Sequence, residues 1–247
     1  MKRIINVLVS ITLVSLFHGT VSAEISPQEI LAHADRARGN VEGIEWIIHM
    51  ESIEGERQQE RDLRVKARGD NSLAEYINPP KVKGQKILMI DRNMWFVKPG
   101  LSKPVPLSPR QKLMGGAANG DIASTNYAGD YEAISITEET VNEEPCYVLD
   151  LKATNKNTTY DRIQYWVSKK RMVGVKADFF TISGKRFKSA FFEYGNSILI
   201  NGTSSPFVSK MVITDAVIKD NVTTLIYGKV ILKEIPDSAF NLNLLRR

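Results

Sequence analysis

The sequence predicts a mainly β protein built on one large curved antiparallel sheet or barrel. Three observations predict this class. Apolar residues recur with period 2 through most of the chain, short polar turns separate these runs, and no helical pattern stands between them. Short connections of this kind favour antiparallel neighbours over βαβ units.

The N-terminus has the arrangement of a secretory signal peptide over residues 1–23. The pair Lys2-Arg3 precedes an apolar run over residues 4–17, and the small residues Val21-Ser22-Ala23 follow it. The run is shorter than the roughly 20 apolar residues that a transmembrane helix needs. We therefore expect cleavage after Ala23, a periplasmic location, and one domain over residues 24–247.

The charge pattern argues against a nucleic-acid partner. Removal of the signal peptide lowers the formal net charge from +5 to +3, and the remaining basic residues alternate with acids, as in residues 56–62. Nucleic-acid-binding proteins usually gather Lys and Arg on one face instead.

The predicted helix comes first in the mature chain, and the strands follow it. Ser26 as the N-cap, Pro27 at N1 and Glu29 at N3 form a capping box that predicts a helix over residues 27–38. From Ile44 the apolar period changes to 2, so a long first strand begins there. With this first strand, the predicted strands centre near residues 49, 63, 75, 88, 96, 135, 149, 163, 175, 190, 213 and 227.

One long segment interrupts the series of strands. Between Lys98 and Tyr131 the chain is rich in Pro and Gly and shows no clear strand. Loops of this length in a compact domain are usually functional lids or disordered, and we favour a lid. Residues 108–111 predict one short helix that runs to Met114. The side chains expected to dock the lid on the sheet are Leu107, Leu113, Met114 and Ile122.

Residues that could support catalysis are few. His33 and His49 are the histidines that remain after cleavage, no spacing of metal ligands is present, and nucleotide-binding and hydrolase motifs are absent. Cys146 is the single cysteine, and its apolar neighbours predict a buried, inert thiol. We therefore expect no enzyme activity, no metal site and no cofactor.

Several predicted strands carry large apolar side chains on both faces, as in residues 171–180 and 185–194. A sheet with one covered face needs only one apolar face, so this pattern indicates a sheet curled around an apolar cavity that fits an acyl chain. A β-sandwich core with edge aromatics is the alternative. The side chains predicted to line the cavity are Trp46, Ile48, Met50, Met89, Trp95, Tyr147, Leu149 and Phe179.

An ordered set of motifs runs over most of the mature chain. It comprises the export signal, the helix with the strand that follows it, the block Lys86–Pro99 with its two strands, the run Leu113-Met114-Gly115 with Asp121 soon after, and the ending Ile235–Phe240. This set resembles the bacterial outer-membrane lipoprotein-sorting proteins, the LolA-like group of periplasmic carriers. Where some relatives carry a Ser-Trp-Met-Gly-Ser-Asp-like run, this chain has residues 114–121.

The resemblance implies an incomplete β-barrel, a large curved antiparallel sheet closed by an N-terminal helix and by a helical or loop lid. Its apolar inner surface shields lipid chains from water. It implies a non-catalytic carrier whose partners are lipoprotein acyl chains or lipids, an inner-membrane exporter and an outer-membrane acceptor. Two other functions stay open. An envelope interaction or sensor protein would use the same fold to bind a protein partner, and an enzyme acting on an envelope component would need His, Asp or Glu gathered in a cleft.

The signal sequence generates a prediction about processing. Protein exported by a bacterial host is expected to begin at Glu24 and to carry no acyl group, because no cysteine follows the cleavage point. Intact-mass measurement and N-terminal sequencing test this. A cytoplasmic product that retains Met1 would contradict it.

Overall fold

The computed structural model describes residues 25–246, and the predicted signal peptide lies outside these residues. Helix α1 spans Pro27–Arg36 and helix α2 spans Tyr127–Asp130. The strands are β1 Ile44–Glu54, β2 Arg57–Arg68, β3 Asn71–Asn78, β4 Lys86–Ile90, β5 Asn93–Val97, β6 Val105–Leu107, β7 Lys112–Met114, β8 Ala117–Ala118, β9 Tyr131–Val141, β10 Glu144–Ala153, β11 Arg162–Ser168, β12 Gly174–Phe180, β13 Arg186–Glu193, β14 Asn196–Ile200, β15 Thr203–Phe207, β16 Lys210–Asp215 and β17 Val222–Leu232.

Helix α1 begins where its capping box predicts. Ser26 Oγ accepts a hydrogen bond from the backbone N–H of Glu29 at 3.2 Å, and the Glu29 carboxylate accepts one from the Ser26 N–H at 2.9 Å. The helix ends at Arg36, two residues before the predicted end. Its apolar side chains Ile30, Leu31 and Ala34 are buried in the main core.

Thirteen strands form one antiparallel sheet, which does not close into a barrel. Its order is β6-β5-β4-β3-β2-β1-β17-β16-β13-β12-β11-β10-β9. Strand β1 pairs with β2 on one side and with β17 on the other, so the two ends of the chain meet within the sheet. All twelve predicted strands belong to it, and the predicted fold class is confirmed.

The two faces of this sheet are covered by different segments. We call inner the face that carries Trp46, Ile48 and Met50, which are buried while their neighbours on β1 are not. On the outer face, Ile235 and Phe240 of the C-terminal segment pack on β3 and β4, and a second small cluster surrounds the buried Cys146. Both faces of one sheet therefore need apolar residues, and the β-sandwich alternative is wrong.

Two small sheets and the edge strand β6 lie outside the twelve predicted strands. Strands β14 and β15 form a hairpin around Asn201-Gly202, whose φ angles of +50° and +78° match the turn that this pair favours. The helix expected to run to Met114 is wrong, because β7 pairs with β8 across Gly115-Gly116. Two consecutive glycines disfavour a helix and permit this tight reversal.

Residues 108–130, which we call the plug, lie on the inner face. Their apolar side chains enter the main core, and the backbone at Gly115 approaches the sheet closely. A Cβ on Gly115 would lie 2.1 Å from Thr223 Oγ1 and 2.6 Å from Ser52 Cβ. The plug backbone therefore rests directly on β1 and β17. The buried apolar residues of the plug are Met114, Ala117, Ala118, Ile122, Ala123 and Tyr127.

This close approach generates a prediction about stability. Gly115→Ala is expected to lower the free energy of unfolding by about 2 kcal/mol more than Gly55→Ala, because it adds steric overlap with β1 and β17. Gly55 is a matched control, since its φ of +60° resembles the +55° of Gly115 and nothing lies within 4 Å of its added Cβ. Urea unfolding measures both values. Equal losses would show that the plug is not seated at this point.

Candidate functional site

A buried polar cluster ties the plug to the sheet. Lys188 Nζ donates hydrogen bonds to the Gly116 carbonyl oxygen at 2.7 Å and to Asp121 Oδ2 at 3.1 Å. The Tyr160 hydroxyl donates to the Asp121 carboxylate at 2.6 Å. Lys188, Asp121 and Tyr160 are 5%, 5% and 4% exposed, so the whole cluster is shielded from water. We call these three residues the latch.

Each latch residue is placed by its own element. Lys188 lies on β13, two residues before Ala190 and four before Phe192, which are buried in the main core. Alternate residues of a strand share a face, so the Lys188 side chain is on the inner face. Tyr160 lies just before β11. Asp121 lies in a single 3₁₀ turn over Asn119–Ile122, where its Oδ2 also accepts the N–H of Ala118 at 2.8 Å. That bond orients the carboxylate toward Lys188 and Tyr160.

The surroundings of the latch are aromatic. The Lys188 ammonium lies 4.6 Å from the centre of the Tyr160 ring and 5.2 Å from that of Phe179, within the range of cation–π attraction. Burial lowers the pKa of the Lys188 ammonium, and the Asp121 carboxylate acts in the opposite direction. Burial also raises the pKa of the Tyr160 hydroxyl, with Asp121 adding to the effect, so this hydroxyl stays a donor at neutral pH.

An open groove of about 810 Å³ lies beside the latch. Its volume falls within the range of about 300–1,000 Å³ that is usual for small-molecule sites. Lys188 and Tyr160 line it together with the large apolar side chains Phe180, Ile182 and Phe187. Ile182 is 86% exposed and Phe187 is 36% exposed. The groove therefore offers apolar surface to solvent next to a buried ammonium group.

Ion pairs at the rim of the groove join the plug to neighbouring strands. Lys112 of the plug contacts Glu54 of β1 at 2.6 Å between Nζ and Oε1. Arg110 of the plug pairs with Asp161 and donates from Nε to the Thr158 carbonyl oxygen at 3.0 Å. These rim pairs hold the N-terminal part of the plug.

The C-terminal part of the plug is bound to α1 and to β4–β5. Asp35 Oδ2 on α1 accepts the N–H of Ala128 at 2.9 Å, and burial raises the pKa of this carboxyl to about 7. Arg92 donates from Nε to Asp130 at 2.8 Å and from Nη1 to the Ser124 carbonyl oxygen at 3.2 Å. Both parts of the plug are thus anchored by charged side chains.

Most of the predicted cavity wall lies together on the inner face. These side chains pack beneath the plug and α1 in the main core, where the space is filled rather than open. They are Trp46, Ile48, Met50, Met89, Leu149 and Phe179, each 3% exposed or less. Of the predicted lid residues, Met114 and Ile122 pack inward and are buried, and Leu113 is half-buried.

Two predicted wall residues are not fully buried in this core. Trp95 is directly opposite Leu88 in the β4–β5 pair, and Leu88 belongs to the outer-face cluster, so the predicted facing of Trp95 is wrong. A shift of one residue in the alternation is enough to exchange the faces. Tyr147 is half-buried at the margin of the main core, with the Lys169 ammonium 4.9 Å from its ring centre.

Lys188, Tyr160 and Phe187 are not among the site residues predicted from the sequence. Lys188 could have been found, because it shares the alternation of Ala190 and Phe192 and therefore interrupts an apolar face. Tyr160 has no comparable local signal. Phe187 lies beside the bulge where the register of β12 and β13 shifts, so simple alternation does not predict its direction.

The two histidines among the described residues lie away from the groove. His33 is exposed on α1. His49 hydrogen-bonds Asp62 at 2.6 Å, and this bond raises the pKa of the imidazole. Within residues 25–246, no group of three or more His, Cys, Asp and Glu side chains could hold a metal ion. In the same part of the chain, no helix is long and apolar enough to cross a membrane.

Comparison with known proteins places this fold in a family. A model of a family of uncharacterized proteins matches residues 68–247, whereas the comparison with curated proteins gives no match. The structure is similar to a LolA superfamily protein from Nitrosomonas europaea, with a TM-score of 0.79 and 30% sequence identity over 89% of this chain and 99% of that protein.

Two further structures share the fold. A domain assigned to outer membrane lipoprotein sorting in Vibrio parahaemolyticus has a TM-score of 0.75 and 21% identity, covering 89% of this chain and 98% of its own. A DUF1329 family protein from Desulfovibrio piger has a TM-score of 0.73 and 20% identity, covering 88% and 97%. Together with the matched family model, the identity to the Nitrosomonas protein over nearly its whole length shows that this chain belongs to the LolA superfamily.

Proposed function

We propose that this protein is a non-catalytic periplasmic carrier that binds the acyl chains of lipoproteins or lipids and moves them toward the outer membrane. The observation that carries this proposal is the apolar groove beside the plug. Exposed Ile182 and Phe187 form part of one wall, and clustered exposed apolar surface usually marks a binding site.

The binding affinity expected of such a site suits a carrier. Burial of about ten methylene groups at roughly 0.8 kcal/mol each contributes about 8 kcal/mol before the costs of association. That gross value corresponds to a dissociation constant of about 1 μM or weaker. A carrier has to release its cargo, so moderate affinity is an advantage.

The plug offers a way to enlarge the site. Its buried apolar side chains cover the inner-face residues that we propose as the acyl wall, and several of them are alanines. An acyl chain that displaced the plug would replace one set of apolar contacts with another, so the core would not be left facing water. The proposed wall comprises Trp46, Ile48, Met50, Met89, Tyr147, Leu149 and Phe179, with Leu113, Met114 and Ile122 as the plug residues that leave it.

Two further lines support the proposal. The N-terminal sequence predicts export, and a relative of the same fold is assigned to outer membrane lipoprotein sorting. His33 and His49 do not line the groove. Two of its carboxylates, Glu54 and Asp161, are paired with Lys112 and Arg110, which favours binding over catalysis. The role would need an inner-membrane exporter and an outer-membrane acceptor as partners.

Two phenylalanines on β13 provide a matched pair of variants that tests whether the groove binds acyl chains. Phe187→Ser is expected to weaken the binding of a fluorescent fatty-acid analogue about tenfold, because it removes apolar wall surface. Phe191→Ser is the control, since Phe191 lies on the same strand, is 41% exposed against 36% for Phe187, and does not line the groove. It should bind like the wild-type protein.

Native mass spectrometry of the wild-type protein from a periplasmic extract provides an independent check. The proposal predicts a copurified lipid or acylated peptide that is depleted in Phe187→Ser. Equal binding by the two variants, with no lipid in the purified protein, would contradict it.

A further inference from the structure

The latch has the chemistry of a carboxylate-binding site that is occupied by the protein's own carboxylate. Its two donors, Lys188 Nζ and Tyr160 O–H, belong to β13 and to the residues before β11. Its acceptor, Asp121, belongs to the plug. The donors would therefore stay with the sheet if the plug moved, and the carboxylate would leave.

Displacement of the plug would leave the buried Lys188 ammonium group without an acceptor. Among the described residues, the hydrogen bonds of Lys188 Nζ go to Gly116 and Asp121, and both acceptors are in the plug. The ammonium group would then stand unpaired beside the rings of Tyr160 and Phe179. Removing one partner of a buried ion pair is strongly destabilising. An apolar chain alone would not compensate for that loss, whereas an incoming anion would.

The other cations that line the groove would not remain there to bind an anion if the plug moved. Arg110, Lys112 and Lys188 are the cations among the described residues that line it. Arg110 and Lys112 lie in the plug, and their partners Asp161 and Glu54 lie outside it. Movement of the plug would therefore carry two positive charges away from the groove. Lys188 is the lining cation that would remain with the sheet.

We propose that the groove binds a single-chain amphiphile with an anionic head, and that this head replaces Asp121 on Lys188 and Tyr160. The inference rests on the proposed carrier function and adds the chemical class of the ligand. The same groove that contains Lys188 and Tyr160 is lined by Phe180, Ile182 and Phe187, which provide apolar surface for the chain. A fatty-acid carboxylate is the simplest ligand of this class.

The test compares decanoate with decanol, which have the same chain length and differ in head-group charge. Isothermal titration calorimetry at pH 7.5, below micelle-forming concentrations, measures both affinities. The wild-type protein is expected to bind decanoate at least tenfold more tightly than decanol. Lys188→Met with Asp121→Asn removes both buried charges together and should bind the two ligands within about twofold of each other.

Three controls make the result specific. Lys185→Met removes a cation from the neighbouring hairpin, outside the groove lining, and should keep the wild-type preference. Tyr160→Phe keeps the ring and removes the donor, so it should reduce the preference about threefold and can replace the double variant if that protein fails to fold. Acetate at the same concentrations should not bind.

The possible failures are distinguishable. Equal wild-type affinities for decanoate and decanol would overturn the anionic head while leaving the carrier function in place. Saturable binding of acetate would show a small-anion site and would overturn the amphiphile. Binding of neither ten-carbon ligand would overturn both this inference and the proposed carrier function.

Discussion

The structure depends on one buried ion pair, which joins Lys188 of the sheet to Asp121 of the plug. Its two groups are almost fully excluded from water, and Tyr160 completes the hydrogen bonding of the carboxylate. Because a buried pair stabilises only when both partners are present, the pair fixes the plug against the inner face. With the plug in this position, the inner face is filled, Gly115 lies against β1 and β17, and the groove lies beside the pair.

Because the inner face is filled, a ligand that used this face would have to displace part of the protein. A lid over an empty cavity would only need to open, whereas the ligand that we propose would have to take the place of the plug. In this proposed exchange, the acyl chain would replace the apolar side chains of the plug, and the anionic head would replace the Asp121 carboxylate. The anchors of the C-terminal part, such as Arg92 with Asp130, would keep the plug attached while its latch end moves.

The sequence predicts the architecture well because alternation is a local signal. Twelve of the thirteen strands of the main sheet and the capping box of α1 follow from neighbouring residues. The hairpin at Asn201-Gly202 also has a local signal, because this pair favours a two-residue β-turn. The site is less predictable, because Asp121, Tyr160 and Lys188 are far apart in the chain and meet only through sheet order. The predicted facing of Trp95 is wrong because a shift of one residue in the strand alternation exchanges the two faces of the sheet.

Hydrogen exchange over residues 108–122, with and without decanoate, tests the central claim most directly. If the plug occupies the place of the ligand, amides in this segment are protected in the free protein and lose protection when decanoate binds. The anchored residues 126–130 should change less, which makes them an internal reference. Equal or increased protection of residues 108–122 in the presence of bound decanoate would contradict the account, because a lid that closes over its ligand would give that result.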